Sequence, residues 1–175
     1  MKLITSIRSI LLGAAAMAAL SFNAAHADWP GQDWKGYSAV NCVPTNENSA
    51  VSLSRSVSGS SVAISNTGIT PVSVFCPIVR DVSEGGTDRV KAVRILVNDR
   101  NPTAAIRCNF SSHDQNGVMV DSASDASVGG VETLTMDGIN ASTWGSYALI
   151  CQIPGRNPVT NLQSYLINYR VDETL

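Results

Sequence analysis

Apolar and polar positions alternate in short runs along most of the chain. In "VSVFCPIVRD" at 72–81, Val72, Val74, Cys76 and Ile78 fall on one parity. A strand repeats every two residues, so such runs predict half-buried strands. The 3.6-residue period of an amphipathic helix is nearly absent. Strands are predicted over 37–43, 50–54, 61–65, 71–80, 89–98, 103–111, 118–122, 132–136, 146–153 and 164–171. Turn chemistry separates them: Asn66-Thr67-Gly68, Glu84-Gly85-Gly86, Asn116-Gly117, Gly129-Gly130, Asp137-Gly138 and Pro154-Gly155. Glycine and asparagine supply the positive φ that tight turns need.

The run "RVKAVRILVN" at 89–98 is apolar on both parities, which predicts a central strand covered on both faces. About ten short strands with no helix imply an all-β domain, an antiparallel β-sandwich of jelly-roll-like form, with a closed β-barrel as the alternative. The tract "VDSASDASVGG" at 120–130 breaks the alternation with Ser, Asp and Gly, and is expected to form a long loop. Proline within a sheet is confined to edges, strand starts and bulges. Pro77 therefore marks where regular pairing of 72–76 should stop, leaving "PIVRD" as a bulged or edge continuation.

The first segment stands apart from this pattern. Lys2 and Arg8 precede a short apolar run from Ile10 to Leu20, and Ala25-His26-Ala27 fits the small-x-small cleavage rule of a secretory signal peptide. The run is too short to cross a bilayer core of ~30 Å as a helix. Residues 1–27 are expected to be removed after Ala27, leaving a single domain over 28–175 with no membrane span and a periplasmic or secreted location. Two of the twelve basic residues leave with the leader and none of the fourteen acidic ones, so the net charge moves from −2 to −4. A mildly acidic chain argues against nucleic acid as a partner.

Four cysteines remain: Cys42, Cys76, Cys108 and Cys151. An even count in an exported chain predicts two disulfides. The wide spacing lacks the close pairs of a structural zinc site. Each thiol shares its parity with apolar neighbours and so faces the core, where a bridge could tie two facing sheets together. Of three possible connectivities, Cys42–Cys76 and Cys108–Cys151 are expected, because sequence neighbours tend to be spatial neighbours. Each would contribute ~3–4 kcal/mol in the chain-entropy model.

The motifs "GYSAVNC", "VFCPIVRD", "IRCNF", "YALICQIPG" and "SYLINYRVDE", in this order, resemble those of small exported bacterial proteins of unknown function with four cysteines and an all-β domain. The resemblance spans most of 36–173. It implies a bacterial envelope or secreted β-sandwich and supplies no activity and no site.

Candidate chemistry is sparse. "DWPGQDWKGY" carries Trp29, Trp34 and Tyr37 among Pro and Gly residues. These rings, with Trp144, are the candidate ligand-binding residues, as a flat platform for the apolar faces of sugars. The alternative is a terminal arm whose rings bury apolar area over the sandwich end, and it is preferred. Basic residues Arg80, Arg89, Lys91, Arg94, Arg100 and Arg107 are interleaved with Asp81, Glu84, Asp88 and Asp99, a mixture expected of a solvated strand edge. Asp121 and Asp125, with Ser122 and Ser124, offer oxygens to calcium but lack the EF-hand spacing, and no metal is assigned. His113, the one histidine after the leader, precedes the Asn-Gly turn and is expected on an exposed loop.

There is no G-x-S-x-G elbow, H-E-x-x-H or P-loop, and no cofactor motif. No catalytic residue is assigned. The sequence therefore points to a non-catalytic exported module with a carbohydrate or protein ligand. Two alternatives are a pilin-like subunit completed by a partner's strand and a small hydrolase using two carboxylates.

Overall fold

The computed structural model describes residues 34–58, 61–79, 89–140 and 145–174. In chain order these form β1 (Trp34–Ser38), a 3-10 turn (Ala39–Asn41), β2 (Val43–Pro44), a single helical turn α1 (Glu47–Ala50), β3 (Leu53–Ser58), β4 (Ser61–Asn66), β5 (Val72–Cys76), β6 (Arg89–Asp99), β7 (Arg107–His113), β8 (Met119–Ala126), β9 (Gly130–Asp137), β10 (Ser146–Ile153) and β11 (Tyr165–Thr174). All pairings are antiparallel.

The strands make two separate sheets. One has six strands in the order β3-β4-β11-β6-β9, with β1 also paired to β11. The other has five, in the order β2-β5-β10-β7-β8. The fold is thus an antiparallel β-sandwich, and the closed barrel is not formed. Alternation sets the inner faces. Val93, Ile95 and Val97 of β6 meet Phe110 of β7 and Leu149 of β10 in one buried core. Strand β6 lies between β11 and β9, the interior position its composition predicts. Its inward register survives a bulge opposite Asp172/Glu173, so Val90 is buried while Lys91 is exposed.

Several segments depart from the sequence expectation. The run 37–43 is split: Ser38 caps a 3-10 turn with its hydroxyl accepting from the Val40 N–H, and β2 follows. The strand expected over 50–54 begins later: Glu47–Ala50 form a helical turn and β3 runs Leu53–Ser58. The tract 120–130 is mostly strand, with β8 paired to β7 along 119–126. His113 is not on a loop. It ends β7, half-buried, opposite Ser146 and Met119. Asp114 and Gly117, the latter at φ +79°, make the turn that follows.

Both expected disulfides are present, with Cα–Cα distances of 4.1 Å. Their placement corrects the expectation that they join the sheets. Cys108 lies directly opposite Cys151 in the β7–β10 ladder. Val43 faces Phe75, which sets Cys42 opposite Cys76. Both bridges therefore staple neighbouring strands of the five-stranded sheet. Facing sheets stand ~10 Å apart, beyond the reach of a disulfide, whereas cross-strand Cα atoms lie ~4.5–5.5 Å apart.

Tyrosines make the cross-sheet ties. The Tyr169 hydroxyl of β11 donates to the Pro77 carbonyl, and the Tyr37 hydroxyl of β1 donates to Val79 at 2.8 Å. The two rings stack with centroids 5.0 Å apart. Tyr147 of β10 accepts from the Val90 N–H at 3.1 Å. Strand β5 does end at Cys76, and the chain after it is held by these hydroxyls instead of a ladder. Burial pushes the Tyr169 phenol well above its ordinary pKa, with the neighbouring Tyr37 adding to the shift.

Candidate functional site: the outer face of the five-stranded sheet

The cysteine parity of the five-stranded sheet faces the core, so the other parity faces outward. Three cross-strand rows follow from the register. The first runs Ser73, Gln152, Arg107, Ala126; the second Val43, Phe75, Ile150, Asn109, Ser124; the third Ala148, Ser111, Ser122. In the second row apolar side chains occupy three adjacent strands. Val43 is 48% exposed and Ile150 40%, with Phe75 half-buried between them. The row then turns polar at Asn109 and Ser124. Gln152 and Arg107 stand beside it in the first row. Arg107, Asn109, Ser124, Ile150 and Gln152 line a shallow depression of about 480 Å³.

This surface is rigid by construction. Both disulfides lie directly beneath it, on the inner face of the same strands. The apolar side chains project from a backbone that two ladders fix on each interior strand. A ligand meeting it would find little to reorganise.

Of the sequence-predicted aromatic residues, the two that are described lie elsewhere, in β1 of the six-stranded sheet. Trp29 and Trp144 lie outside the described residues. Trp34 and Tyr37, three apart in β1, point to opposite faces. Tyr37 faces inward, opposite Tyr169, and Trp34 faces outward from the six-stranded sheet, opposite Asp172. The Arg94 guanidinium lies 5.6 Å above the Trp34 ring, held by a bidentate pair with Asp137. Trp34 thus stacks on a fixed cation.

The acids of the second half are committed to backbone. Asp121 accepts from the Ser122 N–H on one oxygen and from Asn140 on the other, at 2.8 and 2.9 Å. The Asn140 and Ser122 N–H groups hold its carboxyl below the usual range. Asp125 accepts from Ala126 and, across the open side of the sandwich, from Thr135 at 2.7 Å. These contacts occupy the oxygens that a calcium ion would need. Asp114 is likewise lowered, chiefly by the Val118 N–H. Buried Asp99 receives Ser164 and the Asn101 N–H on one oxygen, Ser127 and the Ile106 N–H on the other. Of the interleaved charges, Arg94 pairs with Asp137 instead of the acids near it in sequence.

Sequence reasoning passed over Val43, Phe75, Asn109, Ile150 and Gln152. A signal was present: in "VSVFC" and "YALICQI", Phe75 and Ile150 sit on the parity opposite the cysteines. Large apolar groups that lie side by side on the solvent face of adjacent strands form a contiguous patch, the arrangement that favours an interaction surface.

No protein-family model matches the chain, and no curated protein sequence does. Among solved structures, it is similar to the xylan binding module CBM86 of the gut symbiont Roseburia intestinalis, at TM-score 0.48 and 11% identity over 81% of this chain and 96% of that one. It is also similar to apo BiXyn10A CBM1, at TM-score 0.47 and 10% identity over 81% and 92%. A third is TmCBM61, solved with β-1,4-galactotriose, at TM-score 0.43 and 9% identity over 81% and 88%. Likeness at this level bears on neither ligand nor activity.

Proposed function

We propose that this chain is an exported, non-catalytic β-sandwich binding module that takes a carbohydrate on the outer face of its five-stranded sheet. The row Val43–Phe75–Ile150–Asn109–Ser124 carries the reading. A pyranose ring presents an apolar C–H face and a rim of hydroxyls. The apolar half of the row offers surface to the first. Asn109 and Gln152 offer the second an amide that both donates and accepts. Two disulfides fit an oxidising compartment and so support export. The carboxylates committed to backbone N–H groups count against the hydrolase alternative. The pilin-like alternative needs an open edge, and at β8 two carboxylates cover the Ser122 and Ala126 N–H groups, which counts against strand addition at that edge.

A glycan array with the 28–175 chain, followed by calorimetry on the best hit, tests this. Ile150→Ala and Asn109→Ala should each weaken binding by about tenfold or more, as for central interface groups. His113→Ala should leave it unchanged, because His113 lies four residues along β7 from Asn109, ~13 Å at strand rise. An array without binding, or variants that bind like the parent, would sink the proposal. A hundredfold loss of glycan turnover in His113→Ala would instead favour the hydrolase.

A further inference from the structure

Three arginines of this fold have side-chain partners, whereas Arg100, Arg107 and Arg170 have none among the described residues. Arg94 pairs with Asp137. Arg55 donates to the carbonyls of Val40 and Cys42, both at 3.1 Å. Arg156 donates to Asn161 at 2.7 Å. Arg107 differs. It stands on the outer face in register with Gln152, beside the row that carries Ile150 and Asn109. It is exposed, and among the described residues its side chain makes no hydrogen bond or ion pair.

Arg107 also lines a second depression, at the strand ends, with Arg100, Asn101, Thr103, Ser127 and Gly129. The side chain of Arg100 is exposed and likewise without a partner among the described residues. Acids do lie nearby, yet most of their oxygens are committed to other donors. Asp99 is saturated by two hydroxyls and two N–H groups. Glu132 accepts from the Val128 and Gly129 N–H groups on one oxygen, at 2.8 and 3.0 Å. Asp125 accepts from Ala126 and Thr135. Among the described residues, two guanidinium forks are left without partners where the ligand face meets the strand-end depression.

From this juxtaposition we infer that the glycan is anionic, and that Arg107, assisted by Arg100, receives a carboxylate or sulfate on a sugar while Ile150 and Asn109 hold the ring. The inference rests on the carbohydrate reading above and adds the charge of the ligand. A guanidinium matches such an anion with two parallel hydrogen bonds, which sets orientation as well as strength. Arg107 is a specificity residue in this arrangement, not a general source of positive field, since the chain carries a net −2.

The test compares charged and neutral ligands of one shape. Binding of oligogalacturonate is measured against the same oligomers as methyl esters, and dextran sulfate against dextran. The charged member of at least one pair should bind about tenfold or more tightly, and the preferred pair identifies carboxylate or sulfate. That preference should shrink with added salt. Arg107→Gln should bring it near parity, whereas Ile150→Ala should weaken both members equally. Equal or tighter binding of both neutral members, or an intact preference in Arg107→Gln, would overturn the inference and leave the carbohydrate reading standing. If neither pair binds and the array is also silent, the carbohydrate reading falls with it.

Discussion

Gly155 shows how a residue is chosen by its surroundings. The sequence suggests a Pro-Gly turn, but Gly155 does not adopt a positive φ. It is buried, its carbonyl accepts from Asn101 Nδ2 at 2.8 Å, and a Cβ placed on it would lie 2.2 Å from the carbonyl oxygen of Ile69. The obstacle is backbone, which cannot rotate away, and the adjoining Arg156 N–H is bonded to Gly68 O at 2.6 Å. Gly155→Ala should therefore destabilise by about 2–3 kcal/mol, in the range for overpacking, read as a lower midpoint in urea. Unchanged stability would mean that the 69–70 segment can give way. The close approach was illegible in the sequence, because it joins chain segments more than eighty residues apart. The inward positions of the cysteines, by contrast, were set by two-residue parity alone.

At the scale of the element, the two disulfides reinforce one sheet and leave the other to packing. The inward parity of each cysteine was legible. The partner sheet was not, because parity fixes a face and says nothing of which neighbour is within reach. Strand β8 was legible only over 118–122, and its second half was missed for a related reason. Of its inward positions Asp121, Ala123 and Asp125, only Ala123 packs against the core while the two acids bond across the open side, so the hydrophobic alternation that marks a strand is missing. Replacing Cys108 and Cys151 together by alanine removes a crosslink across 43 residues. The chain-entropy model gives a loss of ~4 kcal/mol. Urea unfolding of the double variant should show that loss, and a change below ~1 kcal/mol would indicate a denatured state already restrained without the bridge.

At the scale of the whole molecule, an open sandwich has two sides where sheet edges face one another, and each is closed here by charged side chains. On one, Arg55 of β3 crosses to the carbonyls of Val40 and Cys42 beside β2. On the other, Asp125 of β8 crosses to the Thr135 N–H of β9, and Asp121 reaches Asn140 just beyond it. The acidic side also blunts the β8 edge against strand addition, since the same carboxylates accept from Ser122 and Ala126. The Asp121 carboxyl of this closure is held below its ordinary value of 3.8, as is that of Asp114 in the turn between β7 and β8. A depressed folded-state pKa contributes stability that is fully present above the unfolded value and is lost as pH falls through the folded value. Stability should thus be level from neutral pH to about 5 and decline below about 4. Asp121→Asn removes one of these ionisations and sets an amide where a carboxylate accepted. The variant should be less stable at pH 7 and show a shallower decline between pH 5 and pH 2, measured as urea midpoints across that range. Parallel curves for the variant and its parent would show that Asp121 contributes nothing to the acid limb, and that the side is closed by packing alone.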